Sequence, residues 1–422
     1  MQRALCVLAL IGGVCIASIG LLAGLGGLAI ALTAASDSRL MFLLITTSLS
    51  LLSMVLGSAL SWQAWQSISG RASLPWQPRR IWIGLILLAG AILLGRWAIE
   101  RPSLDLVVLP GAHVLATALP PAIILALVAK SLGGSARRRH LLAQVSSGAF
   151  LSISLAMAAE TLLISGLAIA AFLVVGALPG GEQRLEGLAG LLEGSAQLPD
   201  SGQLAEMARS PWVWLVALSV ASVAVPIVEE SLKTVGVGLM LYRKPAREEA
   251  YLWGLAGGAG FAMTESALNS LLGIQSWAAT VVMRIPASLM HCFTGAMVGL
   301  AWHAAFIERR RKRGLGLLAL SVSLHGVWNA LAITSGLLSL AEPSTPPLPA
   351  SGAALGAGLT AILLPAMSAG IAVAFVIVTR NLRPRLASLP DHPDIAILEP
   401  ALPPIRAAAI EEDSIPPSDG QP

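Results

Sequence analysis

Two glutamates and a lysine stand inside VPIVEESLKTVGVGLMLYRK, Val225 to Lys244, a run otherwise apolar enough for a membrane helix. A charged group at the bilayer centre costs roughly 2.5–3.5 kcal/mol on insertion scales, so Glu229, Glu230 and Lys233 together need a local explanation. Helical spacing supplies part of one. Lys233 follows Glu229 by four residues and Glu230 by three, so its ammonium can reach either carboxylate. Further polar groups fall in the next three apolar runs: Glu265 in GLAGGAGFAMTESALN, Arg284 and His291 in RIPASLMHCFTGAMVG, and His325 with Asn329 in LHGVWNAL. Peptide hydrolysis calls for such a set, because it needs an activated water and donors for the tetrahedral oxyanion. A glutamate pair beside a lysine can hold one member ionised to take a proton from water. His325 and Asn329, four residues apart on one helix face, can donate to the oxyanion, while Glu265 and His291 can orient the water or hold a metal.

Depth supports a shared chamber. Counted from the cytoplasmic end of each run, Glu229 is about twelve residues in, Glu265 about fourteen, His325 about ten and His291 about sixteen. At about 1.5 Å per residue they lie within a few ångströms of one level near the midplane. Pro226 and Pro286 each free a backbone carbonyl close to an acid or a histidine, and Gly254, Gly257, Gly258 and Gly260 thin the run before Glu265. Absences narrow the chemistry. The aspartates fall in loops, at span boundaries or in the tail, which excludes a two-aspartate mechanism, and HExxH does not occur.

The elements that must position these residues are membrane helices. The chain is 55% hydrophobic and 12% charged, where a soluble domain carries about 25% charged residues. The expected fold is all-α, a polytopic helical bundle with about ten spans at 4–34, 40–62, 81–98, 105–130, 143–178, 212–241, 251–273, 279–307, 315–340 and 353–379. Placing the N-terminus inside puts twenty of the 27 Lys and Arg on the cytoplasmic side, so both termini are expected there. The basic residues fall between apolar runs, which argues against nucleic acid as a partner. Cys6, Cys15 and Cys292 lie in apolar runs and suggest neither disulfides nor a metal finger. Gly20 and Gly24 form a GxxxG pair suited to close helix packing. The expected organisation is a five-helix region over 1–178, an extracytoplasmic loop over 179–211, a catalytic core over 212–340, a final span within 341–380, and a disordered proline-rich cytoplasmic tail over 381–422.

Four pieces carry a family resemblance: Glu229-Glu230-x-x-Lys233, Phe261-x-x-x-Glu265, His291-x-x-x-Gly295 and His325-x-x-Trp328-Asn329. In this order, on successive runs over about 212–340, they resemble the PrsW family of intramembrane proteases, which belongs with the type II CAAX-prenyl endopeptidases in a wider group. The resemblance implies proteolysis of a membrane-anchored protein, such as a single-pass anti-sigma factor, in a bacterial cytoplasmic membrane. By analogy Glu229 and Glu230 carry the general-base role, and Glu265, His291, His325 and Asn329 complete the site with Lys233 in support. The CAAX-type relatives have a histidine where Glu265 stands, a departure that speaks against prenyl-protein processing. Glu229, Glu265, His291 and His325 could hold a zinc ion, although the lack of His-x-x-x-His spacing favours a metal-free glutamate mechanism.

Two other classes use similar groups. A proton-coupled or metal-ion transporter also places acids at the midplane, but such carriers often show two related halves, whereas these groups crowd into four consecutive runs. A non-catalytic scaffold for partner helices is the third reading. Outside the four runs, Glu160 lies mid-span and is expected to pair with Lys233 or Arg284. His113 and His303 are expected at the membrane interface.

Overall fold

The computed structural model describes residues 2–33, 36–101, 104–133, 135–177, 201–341 and 350–383. These are helical, with no named strand among them. The long helices are α1 (Gln2–Thr33), α2 (Ser36–Ile68), α3 (Ile81–Ile99), α4 (Asp105–Ser131) and α5 (Arg138–Ala177). A short α6 (Ser201–Arg209) follows, within the expected extracytoplasmic loop; the rest of that loop, and the proline-rich tail from 384, lie outside the described residues. Then come α7 (Pro211–Arg243), α8 (Arg247–Asn269), α9 (Trp277–Ile307), α10 (Arg311–Ala341) and α11 (Ala350–Asn381). Nine of the described helices are long and apolar enough to cross a membrane, so the protein is a polytopic, all-α membrane protein.

The tenth expected span is α8. It falls short of the apolarity of the others for a physical reason. Every residue from Ala250 to Thr264 is buried, so its neighbours are protein on all sides rather than lipid. At about 1.5 Å per residue its 23 residues reach about 34 Å, enough to cross. Water-driven burial does not join helices in lipid; close backbone packing and hydrogen bonds do. The glycines of α8 provide that packing on two faces. Gly254 and Gly258 lie against Gly295, Gly299 and the His291 carbonyl of α9, and Gly260 lies against the Val145 carbonyl of α5. Gly257 lets the Lys233 carbonyl of α7 come so near that a Cβ would sit 3.2 Å from it. The same logic joins α1 to α2, where Gly20 and Gly24 face Ser53 and Ser50.

Around α8 pack α4, α5 and α9, and α10 and α11 continue the layer beyond α9. His113 of α4, expected near the membrane interface, is fully buried among protein side chains. Its Nδ1 accepts from Trp277 Nε1 at 2.9 Å and its Nε2 lies 3.0 Å from the Ala267 carbonyl, so the imidazole clamps α4 to the α8–α9 connection. Helical pattern alone places His113 near a span's end and does not reveal that other helices cover it. His303 is at the end of α9, buried beside Glu308.

Three helices are not regular throughout. π-helical turns occur at Ser147–Ser152, Val220–Ala224 and His303–Ile307. In α7 the first is followed by a regular stretch, Val225–Leu232, then by a break at Lys233 and Thr234 before Val235–Met240. The glutamate pair therefore rides on two helical turns bounded by irregular backbone on each side.

Candidate functional site

Glu230 is the hub. It is fully buried, and its Oε1 takes three donors. Lys233 Nζ donates to it from one turn along α7, Thr294 Oγ1 from α9 at 3.1 Å, and His325 Nδ1 from α10 at 2.8 Å. An ammonium has only donors, so the 2.9 Å contact of Lys233 Nζ with His291 Nδ1 makes that nitrogen an acceptor. The His291 proton then sits on Nε2, 2.6 Å from Glu265 Oε2, although the approach is off the direction of a good hydrogen bond. Arg284 Nη2 and Asn269 Nδ2 hold Glu265 Oε1 at 2.8 and 2.9 Å. Lys233 Nζ also stands 5.0 Å from the Phe261 ring centroid, which covers one side of the ammonium.

The layer is thus one connected chain of partners: His325, Glu230, Lys233, His291, Glu265, Arg284. Helices α7, α8, α9 and α10 each contribute. The two imidazoles meet edge to face, with ring centroids 5.0 Å apart. The cluster is close-packed rather than an open chamber. A cavity of about 500 Å³ lies beside Ser231, Trp302, Phe306 and Arg311.

Glu229 differs from its neighbour. It is buried, its Oε2 has no hydrogen-bond partner, and that oxygen faces His325 Nε2 at 3.6 Å. Because His325 donates through Nδ1, its Nε2 carries a lone pair. Two lone-pair atoms therefore oppose each other in a dry layer, an arrangement that suits a cation or a shared proton between them. One ligand atom each from Glu229, His291 and His325 lie within 4.8 Å of one another. Two imidazoles and one carboxylate are the donor set of a catalytic zinc site, and Glu230 on His325 Nδ1 is the carboxylate that fixes such a ligand's tautomer. Glu229 and His325 present free lone pairs to a divalent cation, and His291 completes the set once it gives up its Lys233 contact or its Nε2 proton. Glu265 of the four expected metal candidates is not in this triple; Arg284 and Asn269 hold it one step away.

Two expectations need restating. Asn329 shares a helix face with His325, but its amide donates to the Ala221 carbonyl at 2.8 Å, an acceptor in the π-turn of α7. It secures that turn with one of its two amide N–H groups. Gly326 beside it admits the Ser222 carbonyl. The expected pairing of Glu160 with Lys233 or Arg284 does not occur: both cations are engaged by Glu230 and Glu265, and Glu160 Oε1 is buried without a partner. Conversely, Thr294 and Asn269 were not singled out from sequence. Thr294 follows His291 by three residues and Asn269 follows Glu265 by four, and that helical spacing is the signal that marks them.

The family model described as PrsW family intramembrane metalloprotease matches residues 187–351. Over this segment the chain is similar to the PrsW family. The segment contains every residue of the layer, on α7 to α10, while α1 to α5 and α11 lie outside it or reach it only at its edge. No curated protein and no solved structure matches the chain. The match spans all four motifs, so the resemblance drawn from them is borne out.

Proposed function

We propose that the chain is an endopeptidase that cleaves a membrane-anchored protein, such as a single-pass anti-sigma factor, in a bacterial cytoplasmic membrane, using the Glu229 layer to activate water. The observation that carries this reading is the unpaired Glu229 Oε2 facing the lone pair of His325 Nε2 inside the layer. A glutamate with a free oxygen can take the proton of the attacking water and return it to the leaving amine as the C–N bond breaks. Glu230 also has an unpartnered Oε2, but its Oε1 accepts from three groups, which tie it to fixing His325 and balancing Lys233. Lys233 and Arg284 hold His291 and Glu265 in register. A divalent cation such as zinc would be held by Glu229, His291 and His325, and would supply Lewis acidity toward the scissile carbonyl.

The test is to reconstitute the purified protein in liposomes with the host membrane fraction and map new peptide N-termini by mass spectrometry. Termini present with wild type and absent with Glu229→Gln support the reading. No wild-type-specific terminus, together with ion or proton flux across the same liposomes, favours the transporter instead.

A further inference from the structure

Glu160 is the one acid near the layer that comes from outside the family-matched segment. It lies on α5, on the helix face that carries Ile153 and Ala156. Those two residues are buried against Phe261 of α8 and against Val228 and Leu232 of α7. Glu160 lies one turn further along that face, where α5 runs against the α7 and α8 segments that carry the layer. Beyond it α5 emerges from the bundle: Thr161 and Leu162 are exposed, whereas Glu160 is half-buried with an unpartnered oxygen. Glu160 thus stands where the packed layer meets the surface open to lipid, and both cations of the layer are held by other carboxylates.

An unpaired acid at this depth is costly unless something pairs with it. We propose that Glu160 is a specificity-determining residue whose carboxylate receives a cationic side chain, a lysine or arginine, of the substrate's membrane segment beside the bond to be cut. A substrate helix entering sideways between α5 and α7 meets this carboxylate before Glu229. Hydrocarbon sharpens the choice, because a lysine that finds no anion there is expelled, while one that reaches Glu160 is neutralised. This inference rests on the proteolytic reading of the layer.

The test uses single-span alanine–leucine peptides with tryptophan flanks, carrying a central lysine or a central norleucine. Their binding to full-length protein in nanodiscs is measured in the Glu229→Gln background, so that no cleavage intervenes. The expected result is about tenfold tighter binding of the lysine peptide, with the preference lost in Glu160→Gln. As a second measurement, zero-length carbodiimide coupling of the lysine peptide to otherwise native protein should map to Glu160. Equal binding of the two peptides, a preference that persists in Glu160→Gln, or coupling confined to Glu229 or Glu265 overturns the proposal. A lysine preference in a protein that cleaves nothing would instead sink the proteolytic reading and leave the cation site at Glu160 standing.

Discussion

His325 meets Glu230 through Nδ1 at 2.8 Å, and this one hydrogen bond decides that the other ring nitrogen points its lone pair at Glu229. The carboxylate of one glutamate sets the chemical state of the histidine; the adjacent glutamate faces the result. Consecutive residues on one helix thereby take different roles.

Removing the hub should unfold more than it disarms. Glu230→Ala leaves Lys233 buried and unpaired, and breaking such a pair costs about 3–5 kcal/mol. Thermal unfolding in detergent should show this loss, and a Glu230→Gln/Lys233→Met double variant should regain much of the stability without regaining cleavage. Equal stability of Glu230→Ala and wild type would contradict the hub role.

Glu229→Gln should behave in the opposite way. Its Oε2 has no partner to lose, so the melting temperature should stay near wild type while cleavage falls by at least about a hundredfold. Cleavage within a few-fold of wild type would remove Glu229 from the chemistry.

Metal content separates the two mechanisms. Elemental analysis of protein purified without chelators should find about one divalent ion per chain, and His325→Ala and His291→Ala should each lower it. Fully active protein with no bound metal would instead make Glu229 a metal-free base.

Arg284→Ala should reduce turnover with little effect on metal content, because Arg284 touches Glu265 and not the three candidate ligands. Arg284→Lys should restore part of the rate, since a cation then still faces Glu265. Full loss of metal in Arg284→Ala would show that Glu265 is itself a ligand.

Gly258→Val should be among the most damaging changes outside the polar layer. The added carbons would meet the His291 carbonyl and Gly295, backbone that has no room to yield. Overpacking of this kind costs about 1–3 kcal/mol and also displaces His291. Circular dichroism melts read alongside cleavage would detect both effects.

Much of the site was legible because charge is rare in hydrocarbon. Glu229, Glu265, His291 and His325 announce themselves against an apolar background, and helical rise alone places them at one depth. What remained hidden depends on what lies beside each helix. The burial of His113 comes from Trp277 and Ala267, more than 150 residues away in sequence. The partner of Asn329 is a carbonyl released by a π-turn that no residue pattern in VASVA marks. The isolation of Glu160 follows from Lys233 and Arg284 being occupied, and spacing along one chain cannot decide which of several acids wins a given cation.

The glycine contacts of α8 carry a mechanical consequence. With Gly254 and Gly258 seated on α9 backbone and Gly260 on α5 backbone, α8 behaves as a fixed wall that cannot slide without collision. The helix opposite is built differently, jointed at Val220–Ala224 and again at Lys233 and Thr234. If the layer admits a peptide, α7 is the element with backbone joints to give, and Glu229 and Glu230 ride on the segment between those joints.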